Sequence, residues 1–241
     1  MRDFSEPTMV DWSAYASRYD MLLHHNPAYI DLLERFDRWI DRHTPEGRFE
    51  AVDVGAGTGS FAERLLERRD DAVATLIEPD KAMREHAAMK LARFGSRAVV
   101  VDGDFSTPPP QSYDIVISTH AIYTAEEPRA ALRALAAMAR PEGLGFLIDF
   151  GGRMRVWSWR LYLTNHLLRR HGLVKTVRLA RDGREIARQN ARVAEQQRAG
   201  RYWLHDRPKF VEEVRAAGWD AIESATVYRG CSTLVSAKRA A

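Results

Sequence analysis

Ala51-Val52-Asp53-Val54-Gly55-Ala56-Gly57-Thr58-Gly59-Ser60-Phe61 runs from a short apolar, β-branched stretch through three alternate glycines into a segment patterned as a helix. Residues 61–69 carry Ala62, Leu65 and Leu66 at the spacing of one buried helix face. Strand, glycine turn and helix bring backbone N–H groups and a helix N-terminus against a nucleotide-like ligand. Glycine there permits positive φ and close backbone approach. The spacing departs from the dinucleotide-binding G-x-G-x-x-G, whose third glycine falls one position later. A turn that needs glycine for packing alone is the competing explanation, so the flanking sequence matters.

Val73-Ala74-Thr75-Leu76-Ile77-Glu78-Pro79-Asp80 reads as a buried strand ending in a carboxylate. Glu78 lies about 20 residues beyond the glycines, where a second strand tip reaches a ribose. A carboxylate there accepts hydrogen bonds from both ribose hydroxyls. Capping of the helix that starts near Asp80 is the alternative role. Further on, Asp102-Gly103-Asp104-Phe105 follows a third strand at 98–101, and Tyr113-Asp114-Ile115-Val116-Ile117-Ser118 reads as a fourth.

In this order the segments resemble the class I S-adenosylmethionine-dependent methyltransferases, closely over residues 50–150 and loosely over the C-terminal strands. The resemblance implies that Asp53, Gly55, Gly57 and Gly59 form the first cofactor motif. It makes Glu78, with Pro79 beside it, the ribose-binding acid. It sets Asp104 and Phe105 at the adenine and Ser118 at the strand tip facing the reacting methyl. S-adenosyl-L-methionine is the implied cofactor. In this family an aromatic N-terminal segment often lies over the cofactor. Tyr15 and Tyr19 are therefore cofactor-side candidates, with packing on the core as the alternative.

The remaining chain fits an α/β, doubly wound, Rossmann-like single domain. Residues 1–45 are expected to form an N-terminal helical cap after a flexible lead over 1–10. The stripe of Trp12, Tyr15, Tyr19 and Leu22 predicts a helix over 12–23. Asn26-Pro27-Ala28-Tyr29 resembles the N-P-P-Y motif of amino-methyltransferases, but that motif ends a fourth strand, a place taken here by residues 118–120. Asn26 as N-cap and Pro27 as first helical residue explain it without chemistry. Residues 46–150 form the expected cofactor-binding core, with a helix over 80–94, a triple-proline loop at 108–110, and a helix over 127–140 closed by Pro141-Glu142-Gly143 before a fifth strand at 144–150. Residues 202–241 are expected to hold a helix over 210–217 and two strands, 222–228 and 233–237, pairing as an antiparallel hairpin. The sheet is then seven-stranded and mostly parallel.

Residues 151–201 break the alternation and read as a helical lid inserted after strand five. One helix is expected over 156–171 and another over 184–198, with an Asp182-Gly183 hairpin turn as an open alternative. Trp159, Tyr162 and His166 share a face and are the acceptor-pocket candidates, ordinary packing being the other reading. His120 and Tyr123, just beyond strand four, are the candidates nearest the methyl, His120 as a base or as an acceptor contact. Asn165, His205 and Tyr228 are weaker choices. No histidine shows metal-ligand spacing, so no metal is expected.

Charge is unevenly placed. Of 36 Arg and Lys and 33 Asp and Glu, residues 153–201 hold thirteen basic against three acidic. Arg184, Arg188 and Arg192 follow four-residue spacing, which suits an anionic acceptor, a nucleic-acid backbone or a solvated helix face. No Phe, Trp or Tyr falls between Tyr162 and Tyr202, which weakens a base-stacking surface. The single Cys231 excludes an intrachain disulfide. No apolar run of membrane-spanning length and no signal-like N-terminus are visible, so a cytoplasmic protein with no membrane partner is expected.

The expected reaction is methyl transfer to the N or O of a small molecule, in a secondary pathway. A sulfonium methyl is already activated, so holding the acceptor in line can suffice. An RNA or protein acceptor, and transfer or cyclisation of the cofactor's aminoalkyl group, are the alternatives.

Overall fold

The computed structural model describes residues 9–107 and 111–240, apart from the side chains of Ser17, Leu22 and Leu23. Residues 1–8 of the expected lead over 1–10, the triple proline and the side chain of Leu22 lie outside the described residues. Seven strands, β1 (Phe49–Val54), β2 (Ala72–Ile77), β3 (Ala98–Val101), β4 (Tyr113–Thr119), β5 (Ala139–Phe150), β6 (Trp219–Val227) and β7 (Ser232–Arg239), form one sheet. Their order is β3-β2-β1-β4-β5-β7-β6. The first five run parallel, and β7 is antiparallel to both β5 and β6. The fold is the α/β seven-stranded arrangement the sequence pattern predicts.

Alternation along the strands separates two cores, because successive side chains point to opposite faces. Ala51, Ile115, Ile117, Phe146 and Ile148 face α3 (Pro27–His43) and α4 (Ser60–Arg68). Val52, Val116, Leu147 and Val235 face α6 (Pro128–Met138) and α9 (Arg207–Ala216). Register then sets the site. Val54 lies opposite Ile77, and Ile77 opposite Val101, so the first three parallel strands end level. Their following residues, Gly55, Glu78 and Asp102, emerge along one edge, as expected for a ligand crevice at strand carboxyl ends.

Four local expectations change. The helix over 12–23 breaks into α1 (Trp12–Tyr19) and α2 (Met21–His25). Asp20, between them, accepts hydrogen bonds from Thr58 Oγ1 at 2.7 Å and Lys90 Nζ at 2.8 Å, tying the break to the glycine turn. The helix over 80–94 shortens to α5 (Lys81–Leu91), followed by a 3₁₀ segment interrupted at Gly95. Pro141-Glu142-Gly143 does not precede β5 but forms an irregularity within it, with Glu142 at φ 67°. The insert's first helix, α7 (Val156–Asp182), runs eleven residues past His171, with non-helical Gly172 where its end is predicted. Gly183 joins it to α8 (Arg184–Arg198), so no hairpin forms there. Asn26 caps α3, accepting from the Ala28 amide at 3.1 Å, as the helix-start reading requires.

Candidate functional site

A cleft of about 610 Å³ opens over the carboxyl ends of β1, β2 and β4. Gly55 and Gly57 form one wall at φ 70° and 56°. A Cβ on Gly55 would lie 2.3 Å from Ala121 Cβ, whereas one on Gly57 would meet only open space. Gly59 stands apart from the cleft. It is the left-handed N-cap of α4 and packs against Leu76 and Leu91. Thus the first two glycines shape the cavity and the third fits α4 to its neighbours.

Glu78 joins the glycine turn to the next helix. Its Oε2 accepts the Gly57 amide at 2.8 Å, and its Oε1 accepts the Asp80 amide at 2.9 Å. Asp80 itself caps α5, accepting from Met83 N. The cap of α5 is therefore Asp80 and not Glu78, and the Glu78 carboxylate, held by the two amides, lines the cleft. Burial raises its pKa, against the pull of those two amides. Pro79, Asp104 and Phe105 line the same wall. Asp104 Oδ1 accepts from Ser106 N at 2.8 Å and Ser106 Oγ at 2.6 Å, and these bonds hold its carboxyl below the ordinary range.

Asp53 is buried at 1% exposure, and neither carboxylate oxygen completes a hydrogen bond within the described residues. Burial first, and the neighbouring Glu78 charge second, push its pKa up to about 7. The Ala62 amide lowers it only in part, facing the carboxylate without hydrogen-bond geometry. An unpaired buried carboxylate is costly and clusters at functional sites.

The strand-four tip differs from its predicted use. Ser118 is fully buried and donates to Val54 O at 3.0 Å, so it clamps β4 to β1 instead of lining the cleft. Thr119 and His120 take the lining position. His120 sits at φ 53°, an uncommon conformation for a non-glycine residue, held by its amide on Ile148 O at 2.7 Å. Its ring stacks on Phe150 at 4.6 Å, approaches Tyr228 at 4.9 Å, and places Nε2 2.8 Å from Ser232 Oγ. This enclosure pushes its pKa down to about 3, leaving a neutral ring at physiological pH.

His120 also borders a second cavity of about 40 Å³, walled by Tyr15, Tyr123, Phe150 and Tyr228. Trp12, Tyr19, Tyr29 and His120 line both cavities, so they form a shared aromatic partition. Tyr123 is buried beside Phe150 and Tyr202. Tyr15 faces the second cavity, and its hydroxyl donates to Asn190 Oδ1 of α8 at 2.8 Å. The insert therefore does reach the site, through Met154 and through Asn190 and Val193 of α8. Trp159, Tyr162 and His166 line neither cavity. Trp159 supports the site only from behind, 4.7 Å from the Tyr228 ring, while Arg229 covers the Trp159 and Tyr162 rings.

Three lining residues were hidden in the sequence. Tyr29 falls within the apolar stripe of α3 and reads as core. Trp12 reads as the start of the α1 stripe. Asn190 lies among the arginines of α8, with no local pattern to mark it. Arg184 and Arg188 are exposed, Arg188 pairing with Glu185 at 2.7 Å, whereas Arg192 is half-buried and donates to Gln189 Oε1 at 3.2 Å.

Residues 52–144 match a family model described as a methyltransferase domain. An uncharacterised methyltransferase of Geobacillus kaustophilus is 32% identical over 134 residues, covering 54% of this chain and 60% of the relative. Another, from Exiguobacterium sibiricum, is 30% identical over 135 residues, covering 55% and 61% respectively. The chain thus spans somewhat less than two thirds of the length of these relatives. Among solved structures, a chain from the complex of the Haloferax volcanii Trm112 methyltransferase activator with a methyltransferase aligns at TM-score 0.65 and 16% identity, covering 97% of this chain and 100% of that one. The Burkholderia thailandensis 1,6-didemethyltoxoflavin-N1-methyltransferase, solved with bound 1,6-didemethyltoxoflavin and S-adenosylhomocysteine, aligns at TM-score 0.59 and 14% identity, covering 95% and 88%. These structural likenesses show the fold. The domain match shows a methyltransferase domain over residues 52–144, and with the relatives, the strand order and the ordered motif residues it supports a class I S-adenosylmethionine-dependent methyltransferase.

Proposed function

We propose that this protein transfers a methyl group from S-adenosyl-L-methionine to the nitrogen or oxygen of a small, ring-bearing molecule, in a secondary pathway. The observation that carries this reading is the aromatic partition shared by the two cavities. It stands between an acid-lined cleft suited to a cationic cofactor and a small aromatic cavity that would have to widen to take a flat acceptor.

The residues present fit the cofactor. The unpaired Asp53 carboxylate and its neighbour Glu78 favour a positive charge at the turn. Gly57 leaves open space where a side chain would intrude. Glu78 keeps a second lone pair on each oxygen for ribose hydroxyls, and Asp104 with Phe105 offers an acceptor and a ring edge for a base. When bound, the cofactor supplies an electrophilic methyl on a sulfonium.

The chain's own contribution is orientation and water exclusion, which can be worth roughly 7–11 kcal/mol when the approach is in line. His120, neutral and fixed between Phe150, Tyr228 and Ser232, is suited to hold an acceptor by a hydrogen bond. Its low pKa makes it a poor store for a proton. The second cavity has little more than one water's share of liquid volume, roughly 30 Å³. Acceptor entry therefore requires α1 and α8 to part, breaking Tyr15–Asn190 and the bond from Asp11 N to Gln189 Oε1. In this reading residues 1–45 and 151–201 serve as cap and lid over the core.

The test uses cofactor labelled separately on methyl and adenosine, incubated with the protein and fractionated cell extract. Methyl label in a small-molecule fraction, with S-adenosylhomocysteine as coproduct, is the expected result. Label in RNA or protein, or release of methylthioadenosine, contradicts it.

A further inference from the structure

Six of the ten large apolar side chains exposed among the described residues fall on α7: Trp157, Leu161, Leu168, Leu173, Val174 and Val177. Trp157 is 74% exposed, Leu161 69% and Val174 79%. Before the break at Gly172, at about 100° per residue, Trp157, Leu161 and Leu168 form one stripe, with the inward Trp159 and His166 on the opposite side; Leu173, Val174 and Val177 follow the break. Residues 156–171 thus carry large side chains on both faces, and the stripe of Trp157, Leu161 and Leu168 is left uncovered by the protein.

Charge around this stripe is one-sided. Residues 151–181 contain eight Arg and Lys and no Asp or Glu. All eight are exposed, and none forms an ion pair among the described residues. Elsewhere in the molecule exposed arginines commonly meet carboxylates, as Arg68 meets Asp41 and Arg93 meets Glu63 and Glu67. Arg160 lies over the Trp157 ring at 5.6 Å, bringing cation and apolar edge together.

We infer, in place of the expectation of no membrane partner, that the outer face of α7 binds the surface of an anionic phospholipid bilayer. Exposed Trp and Leu enter the headgroup and acyl boundary while Arg and Lys meet lipid phosphates, the combination that holds an amphipathic helix in the interface plane. The helix lies on the bilayer and does not cross it, since no described helix is long and apolar enough to do so. A second copy of the chain is a poor occupant. A two-fold contact would set the same acid-free basic face against itself. RNA would satisfy the cations but not six exposed aliphatic and indole side chains, and residues 163–201 supply no aromatic for base stacking. The inference does not depend on the reaction assigned to the cleft.

The test is flotation of the full chain with vesicles of phosphatidylcholine alone, and of equal parts phosphatidylcholine and phosphatidylglycerol. The chain should float with the anionic vesicles and remain behind with the neutral ones. Arg169→Gln with Arg170→Gln should lower partitioning roughly thirtyfold, at about fivefold per charge. Trp157→Ser with Leu161→Ser should lower it by about tenfold or more. Both variants alter exposed side chains away from the cleft and should bind S-adenosylhomocysteine as the parent does. Equal flotation with both vesicle types overturns the inference. So does undiminished flotation of both variants, displacement from vesicles by an RNA homopolymer in favour of an RNA complex, or a dimer abolished by Trp157→Ser without any vesicle binding.

Discussion

The glycine-walled cleft and the insert are built by different rules. In the cleft, the register of adjacent parallel strands places the residues that follow their tips side by side. Gly55 and Gly57 shape the turn, and Glu78, one residue past the end of β2, bonds directly to Gly57 N. In the insert, function depends on which face of a helix meets a distant partner. Asn190 reaches Tyr15 across 175 residues, whereas Trp159, with the stronger local pattern, rests behind Tyr228. Local stereochemistry dictates the first region and long-range packing the second.

Glycine substitutions sharpen this contrast most. Gly55→Ala forces a left-handed side chain into Ala121 and should cost about 2–5 kcal/mol, with loss of cofactor binding. Gly172→Ala, at φ 71° and ψ 176° but in open space, should cost about 1–3 kcal/mol and leave cofactor binding intact. Denaturant unfolding and cofactor titration on both proteins check the pair. Equal loss of binding would erase the distinction between the regions.

Asp53→Asn tests whether the cleft sacrifices stability for charge. The native carboxyl keeps its proton up to about pH 7, whereas an unfolded one loses it near 4. Between those values the native state binds more protons, so stability of the ligand-free protein falls as pH rises. The variant should match the parent near pH 4 and exceed it by about 2–4 kcal/mol near pH 8, measured by unfolding at both pH values. It should also bind the cofactor more weakly.

The insert predicts smaller effects. Tyr15→Phe removes the bond to Asn190 and should cost about 1 kcal/mol. Steady-state kinetics should show its effect on the acceptor, with cofactor affinity unchanged. Arg188→Ala removes an exposed ion pair and should change thermal stability by less than about 0.5 kcal/mol.

The sequence was most readable where a backbone conformation is cheap for few residue types. Positive φ at Gly55, Gly57 and Gly59, the Asn26 cap with Pro27, and the non-helical Gly172 where the helix from 156 is predicted to end all belong to this class. Strand alternation and the terminal hairpin were legible for the same reason. Side-chain destinations were not. Ser118 occupies the expected strand tip, yet its hydroxyl turns to Val54 O because a buried donor needs an acceptor. Tyr29 follows a core stripe but lies at that stripe's edge, where it borders the cleft. Asp20 breaks a continuous helical pattern through bonds to Thr58 and Lys90, which no window of local sequence contains.

The central claim is that the cleft bounded by Gly57, Glu78 and Asp104 holds the cofactor, and a calorimetric titration with S-adenosylhomocysteine tests it most directly. The wild-type chain should bind about one equivalent. Glu78→Ala, which removes the carboxylate shared by Gly57 and Asp80, should bind at least tenfold more weakly, a difference of about 1.4 kcal/mol. No binding by the wild-type chain, or the same affinity in both proteins, would contradict the assignment of this cleft.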